Sequence, residues 1–182
     1  MQLVCGLRAT LLLMRGRVEG LLFASLSRSG AARSFWAAAI CLPIFVLLRL
    51  SDPTLAEGDP TRRWIAELAA YAAAWSGFAL ASQRLAAAWG RAPLWPRFLA
   101  AWNWMSLGQY ALLVLISLIP DGPVANAAQL AVFGYVLWLE WFVARIGLRL
   151  HKGPALVVVA LDLVISLLLN GTVDALARGL PR

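Results

Sequence analysis

Charge is what this chain is short of. Only 14% of its residues are Asp, Glu, Lys or Arg, against about 25% in an average soluble domain. So few charges cannot solvate the surface of a separate soluble domain, and none is expected. Histidine is scarcer still, with a single copy, His151, in a basic loop. One imidazole cannot supply a paired-histidine metal site, an HExxH helix, or a Ser/His or Cys/His nucleophile argued from spacing. The two cysteines, Cys5 and Cys41, form no CxxC and no disulfide framework, and both read as inert thiols. No Gly-rich phosphate loop follows a strand pattern. These absences argue against an enzyme, a metal centre or a cofactor.

Lysine is nearly missing too: of 16 basic residues only Lys152 is lysine. Such an Arg- and Ala-rich composition is what a GC-rich bacterial genome tends to encode. The net charge of +7 and isoelectric point near 10.7 do not point to nucleic acid. The arginines lie between apolar runs rather than on one basic face, where they meet anionic lipid headgroups and set orientation.

What the chain has in abundance is apolar sequence. It is 62% hydrophobic with a mean hydropathy of +0.75, and runs long enough to cross a bilayer recur along it. The predicted fold is all-α: a polytopic transmembrane helix bundle of about five spans. Those spans cover 35–50, 64–85, 98–119, 125–146 and 155–176, within a domain of 31–176, followed by a short tail at 177–182. The first is short against the roughly 20 residues a spanning helix needs and has Pro43 in its middle, so a start nearer Ala31 or a local thinning of the bilayer is expected. Residues 1–30 read as a basic amphipathic segment. Leu3, Leu7, Leu11, Met14, Val18 and Leu21 recur at helical spacing, while Arg8, Arg15, Arg17 and Glu19 interrupt any unbroken run. This is the pattern of a helix lying in the membrane interface rather than a signal peptide.

Orientation follows from the basic residues flanking alternate spans. With the N-terminus inside, Arg8, Arg15, Arg17, Arg28, Arg33, Arg84, Arg91, Arg97, Arg145, Arg149 and Lys152 are cytoplasmic. Arg49, Arg62, Arg63, Arg178 and Arg182 fall outside, with the acids Asp52, Glu57, Asp59, Glu67, Asp121 and Asp174. The expectation is a bacterial inner-membrane protein with its N-terminus cytoplasmic and its C-terminus on the opposite side.

Two features inside the spans stand out. Ala69, Ala73, Gly77 and Ala81 repeat every four residues in span two. Small residues in such a row let another backbone approach closely. We read the row as a packing seam inside the bundle in preference to a face for a second copy or a membrane-protein partner, and span two as the centre around which the others pack.

The second feature is intramembrane charge. Glu140 and Asp162 sit within apolar runs, where an isolated carboxylate costs on the order of 2.5–3.5 kcal/mol, so such groups usually face the bundle interior. Glu140 precedes Arg145 by roughly 7 Å of helix, Asp162 follows Pro154 by roughly 12 Å, and Asn103 follows Arg97 by roughly 9 Å. At this common depth the three are expected to form one polar cluster, with Arg145 or Arg97 reaching toward Glu140. It is either an interhelical lock, with Glu140 bonded to Asn103 or drawn to Arg145, or a site for a proton, an ion or a lipid headgroup. Gln109, Gln129, Ser106 and Ser166 read as ordinary hydrogen-bonding glue between helices.

The stretch Ala101-Trp102-Asn103-Trp104, the run Leu112 to Pro120, Tyr135-Val136-Leu137-Trp138 with Phe142-Val143-Ala144-Arg145, and the last span from Ala155 to Leu169 resemble bacterial Yip1-like membrane proteins. The resemblance extends over residues 30–176 and implies a cytoplasmic N-terminal segment and five clustered spans. The Asp-Leu-Tyr-Gly-Pro motif of eukaryotic members is missing, so no trafficking or small-GTPase role is implied. The resulting expectation is a Yip1-like structural or interaction component. The alternative is a small transporter, or part of one, that uses Glu140 and Asp162, although no inverted-repeat symmetry supports it. The two readings part on whether the carboxylates point into one cavity.

Overall fold

The computed structural model describes residues 2–52 and 59–178. Glu57 and Arg182 of the charge pattern, and residues 179–182 of the tail, lie outside the described residues. Among those described there are no strands and seven α-helices: α1 (Gln2–Met14), α2 (Arg28–Arg33), α3 (Trp36–Leu50), α4 (Pro60–Ala88), α5 (Trp95–Ser117), α6 (Pro123–Gly147) and α7 (Lys152–Arg178), with 3-10 turns at Val18–Phe23 and Ala92–Leu94. Five helical stretches are long and apolar enough to cross a membrane: Arg28–Leu50, Pro60–Ala88, Ala92–Ser117, Pro123–Gly147 and Lys152–Arg178.

Local chemistry accounts for the helix ends. Asp59 caps α4, its Oδ1 accepting from the backbone N–H of Thr61 at 2.9 Å and Arg62 at 3.2 Å, with Pro60 in the first turn, where no intrahelical donor is lost. Gly90, at a φ of 67°, ends that helix as Arg91 N–H bonds back to Ala86 O at 2.7 Å. Proline also opens α5 and α6, as Pro96 and Pro123. The short first span is completed by α2. Ser27 Oγ caps it by accepting from Gly30 N–H at 3.0 Å, and a turn at Ser34–Phe35 joins it to α3. Together they give 23 residues, roughly 34 Å of helix.

The N-terminal segment is α-helical only to Met14. Leu3, Val4, Leu7 and Leu11 are exposed on one side of α1, while Ala9, Thr10 and Leu13 are buried on the other. The buried side lies on α5. Gly6 rests on the Trp104 indole, Met14 fills the space beside Gly108, and Thr10 Oγ1 donates to Trp104 O at 2.7 Å. The Tyr135 hydroxyl of α6 donates to Met14 O. Trp104 and Gly108 are roughly 14 and 20 Å along α5 from Trp95, so α1 is docked deep on the side of the bundle.

This docking moves the centre of the molecule. Sequence spacing places α4 there; in the structure it is α5. From Phe98 to Ser106 every α5 residue is buried, because α1, the Val18–Phe23 turn and α2 cover the side that α3, α4 and α6 leave open. Helix α4 packs chiefly on α7. Its small-residue row is not the seam: Ala69 and Ala73 are exposed, Gly77 and Ala81 are half-buried, and nothing lies within 4 Å of where a Gly77 Cβ would be. The face it buries carries Ala66, Glu67, Phe78, Ala79, Ser82 and Ala86 instead. A run of small side chains permits a close approach; it does not decide which face is covered.

Candidate functional site

Glu140 of α6, Asp162 of α7 and Asn103 of α5 line a single cavity of about 130 Å³ within the spanning part of the bundle. The helix rise sets their common depth, and antiparallel packing of α5, α6 and α7 brings them around one space. Phe78, stacked on Trp102 with ring centroids 4.3 Å apart, forms a wall. Phe98, one helical turn nearer the end that carries Arg91, Arg97, Arg145, Arg149 and Lys152 (hereafter the basic end), packs against both rings. Glu140 is only 5% exposed, and Asp162 is half-buried.

The partners within this cavity differ from those expected. Asn103 does not bond Glu140; its Nδ2 donates to Ser34 Oγ at 2.8 Å, and Ser34 Oγ donates to Ala31 O at 2.6 Å, which ties α5 to the turn between α2 and α3. The donor to Glu140 is Gln109, whose Nε2 lies 3.2 Å from Oε1. The other oxygen, Oε2, is buried and no donor among the described residues reaches it. Neither arginine reaches the cluster. Arg145 is exposed and lies over the Trp141 ring, 5.3 Å from its centroid, and Arg97 Nε donates to Leu21 O at 2.9 Å. Arg145 stays hydrated at an exposed helix end and the half-buried Arg97 is taken up by a backbone carbonyl, and either is cheaper than entering an apolar interior. The cavity therefore has two carboxylates and no lysine or arginine among its lining residues.

A second space opens on the far side of Gln109 and Tyr110, which line both. It is a groove of about 660 Å³ between α3, α5 and α6, walled mainly by Leu48, Leu113, Ile116, Val132, Phe133 and Val136. Arg49 and Asp52 stand at its outer end, in an ion-pair network that joins three helices. Arg49 bonds Asp52 at 2.8 Å and also Glu67; Arg63 lies 3.9 Å from Glu67 and 3.1 Å from Asp174. Arg63 and Glu67 are almost fully buried. The sequence signal for this network was the Arg63/Glu67 pair four residues apart on one helix face. The contributions of Arg49 and Asp174 depend on how α3 and α7 meet α4.

What this arrangement can do is bind positive charge. A buried carboxylate with one oxygen unmatched, beside a second carboxylate and flanked by the amide of Gln109, lacks a donor or a cation. Compared with known protein families, curated proteins and solved structures, the chain matches none.

Proposed function

We propose that this is a multi-pass protein of a bacterial inner membrane, a small transporter or transporter component that takes a cation, the proton included, at Glu140 and Asp162. The observation that carries this reading is the unmatched Glu140 Oε2 in a cavity that Asp162 also lines. Buried polar atoms are satisfied in the great majority of cases, and one left unmatched costs about 1–3 kcal/mol. An interhelical lock would be built with both oxygens bonded, or with apolar side chains, which pack as well without the desolvation cost. A carboxylate kept at that cost serves something other than holding helices together. This favours the transport alternative over a purely structural or interaction role within a Yip1-like plan. The concentration of arginine at one end supports a cytoplasmic N-terminus.

The test is stability against reactivity. In the purified protein, dicyclohexylcarbodiimide, which modifies protonated carboxyls in apolar surroundings, is expected to label Glu140, seen as a mass shift on its peptide. Glu140→Gln should lose the label and melt no earlier than the wild type, because it removes an unmatched buried acid. A lock predicts the reverse: no adduct, and Glu140→Gln unfolding well before the wild type.

A further inference from the structure

We propose that the carboxylate cavity and the neighbouring groove are two halves of one binding site for an amphipathic organic cation, its charged head between Glu140 and Asp162 and its apolar body in the groove. The inference rests on the carboxylate reading above and adds the class of ligand. Three observations carry it. Gln109 and Tyr110 line both spaces, so the cavity and the groove lie on either side of these two side chains, and a ligand that occupies both must pass between them. The cavity of about 130 Å³ is the size of a substituted ammonium head rather than of a whole drug-sized molecule, while the groove of about 660 Å³ falls in the range of small-molecule sites and is walled by aliphatic and aromatic side chains. The charges are complementary to a cation at the inner end only. Glu140 is nine-tenths buried and unmatched at Oε2, and no lysine or arginine lines that cavity. Arg49, the cation on the groove wall, is held by Asp52 and Glu67 at the outer end.

Division of labour follows from the physics of each half. The groove lies among helices whose outer faces meet lipid, so an apolar tail enters it at little cost in solvation. Discrimination then falls to the head, because an anion of the same shape would face two carboxylates, and a neutral analogue would leave Oε2 as it is. The Gln109 amide, already donating to Oε1, holds Glu140 so that Oε2 stays directed at the head.

Isothermal titration calorimetry of octyltrimethylammonium into the protein in lipid nanodiscs, corrected with protein-free discs, tests this. Saturable binding is expected, with no saturable heat from octanoate. Glu140→Gln should weaken binding by more than about tenfold, the usual cost of stranding a buried charge partner. Leu113→Trp and Val136→Trp, which fill the groove, should weaken it comparably and leave carbodiimide labelling of Glu140 intact; that labelling also reports that the variants are folded. Tetramethylammonium, a head without a tail, should bind far more weakly than the octyl compound. If octyltrimethylammonium does not bind saturably while Glu140 still labels, the ligand class is wrong and the carboxylate site stands. Absence of both binding and label removes the two readings together. Equal binding of octanoate, or unchanged binding by the groove-filling variants, overturns the two-part site.

Discussion

Gly108 is bare because Met14 occupies the space where its side chain would be. A Cβ there would overlap Met14 Sδ and lie 3.0 Å from Thr10 Cγ2, so a side chain at this position must push the Met14 side chain off α5 and loosen one of the contacts that dock α1. Gly77, also within a spanning helix, has open space around it. Gly108→Leu should therefore cost about 2 kcal/mol, as overpacking of a filled interface does, and Gly77→Leu almost nothing. Limited trypsin digestion checks this directly: cleavage after Arg15 and Arg17 should accelerate in Gly108→Leu and stay at the wild-type rate in Gly77→Leu. Equal rates in all three would mean that α1 does not dock on α5. The same dependence on individual atoms governs the carboxylate cavity. The shared depth of Glu140, Asp162 and Asn103 could be read from 1.5 Å of rise per residue. The identity of the Glu140 donor could not, because Asn103 and Gln109 are both on α5, and the packing of α2 draws the Asn103 side chain to Ser34.

Helix α4 illustrates how an element can be recognised correctly and placed wrongly. Its existence and approximate limits follow from the apolar run 64–85, and the observed Pro60–Ala88 is longer because the polar turn 60–63, capped by Asp59, and the alanines 86–88 continue the helix at either end. Its covered face is set by α7 and by the ion pairs of Arg63 and Glu67, which hold α3, α4 and α7 together. Breaking a buried pair from one side leaves a charge without its counterpart, at about 3–5 kcal/mol. Glu67→Gln is expected to lower stability by that amount in denaturation of the detergent-solubilised protein. Asp59→Ala, which removes only the exposed cap of the same helix, should cost about 1 kcal/mol. Comparable losses in the two variants would show that the network contributes no more than a surface cap.

For the molecule as a whole, five helices long and apolar enough to cross a bilayer, with basic residues gathered at one end, predict an odd-numbered topology with the termini on opposite faces. Reporter fusions after Gly90 and Lys152 should give a cytoplasmic signal, and fusions after Gly122 and at the C-terminus a signal from the far side. A cytoplasmic C-terminus would remove one span, and the stretch Arg28–Leu50, broken at Ser34–Phe35, is the one that would be lost. The number of spans and their order were legible in the chain because a bilayer imposes a length on every helix that crosses it. Intramembrane carboxylates were legible for a related reason, since charge in an apolar run has no neutral explanation. The centre of the bundle was not. In water, a helix announces its buried side by its polarity, whereas in a membrane lipid and protein interior are equally apolar and the covered face of α5 leaves no such mark. Which helix lies at the centre, which amide holds Glu140, and whether two carboxylates share one space are settled by side-chain shape across helices distant in sequence, and only the packed structure contains that.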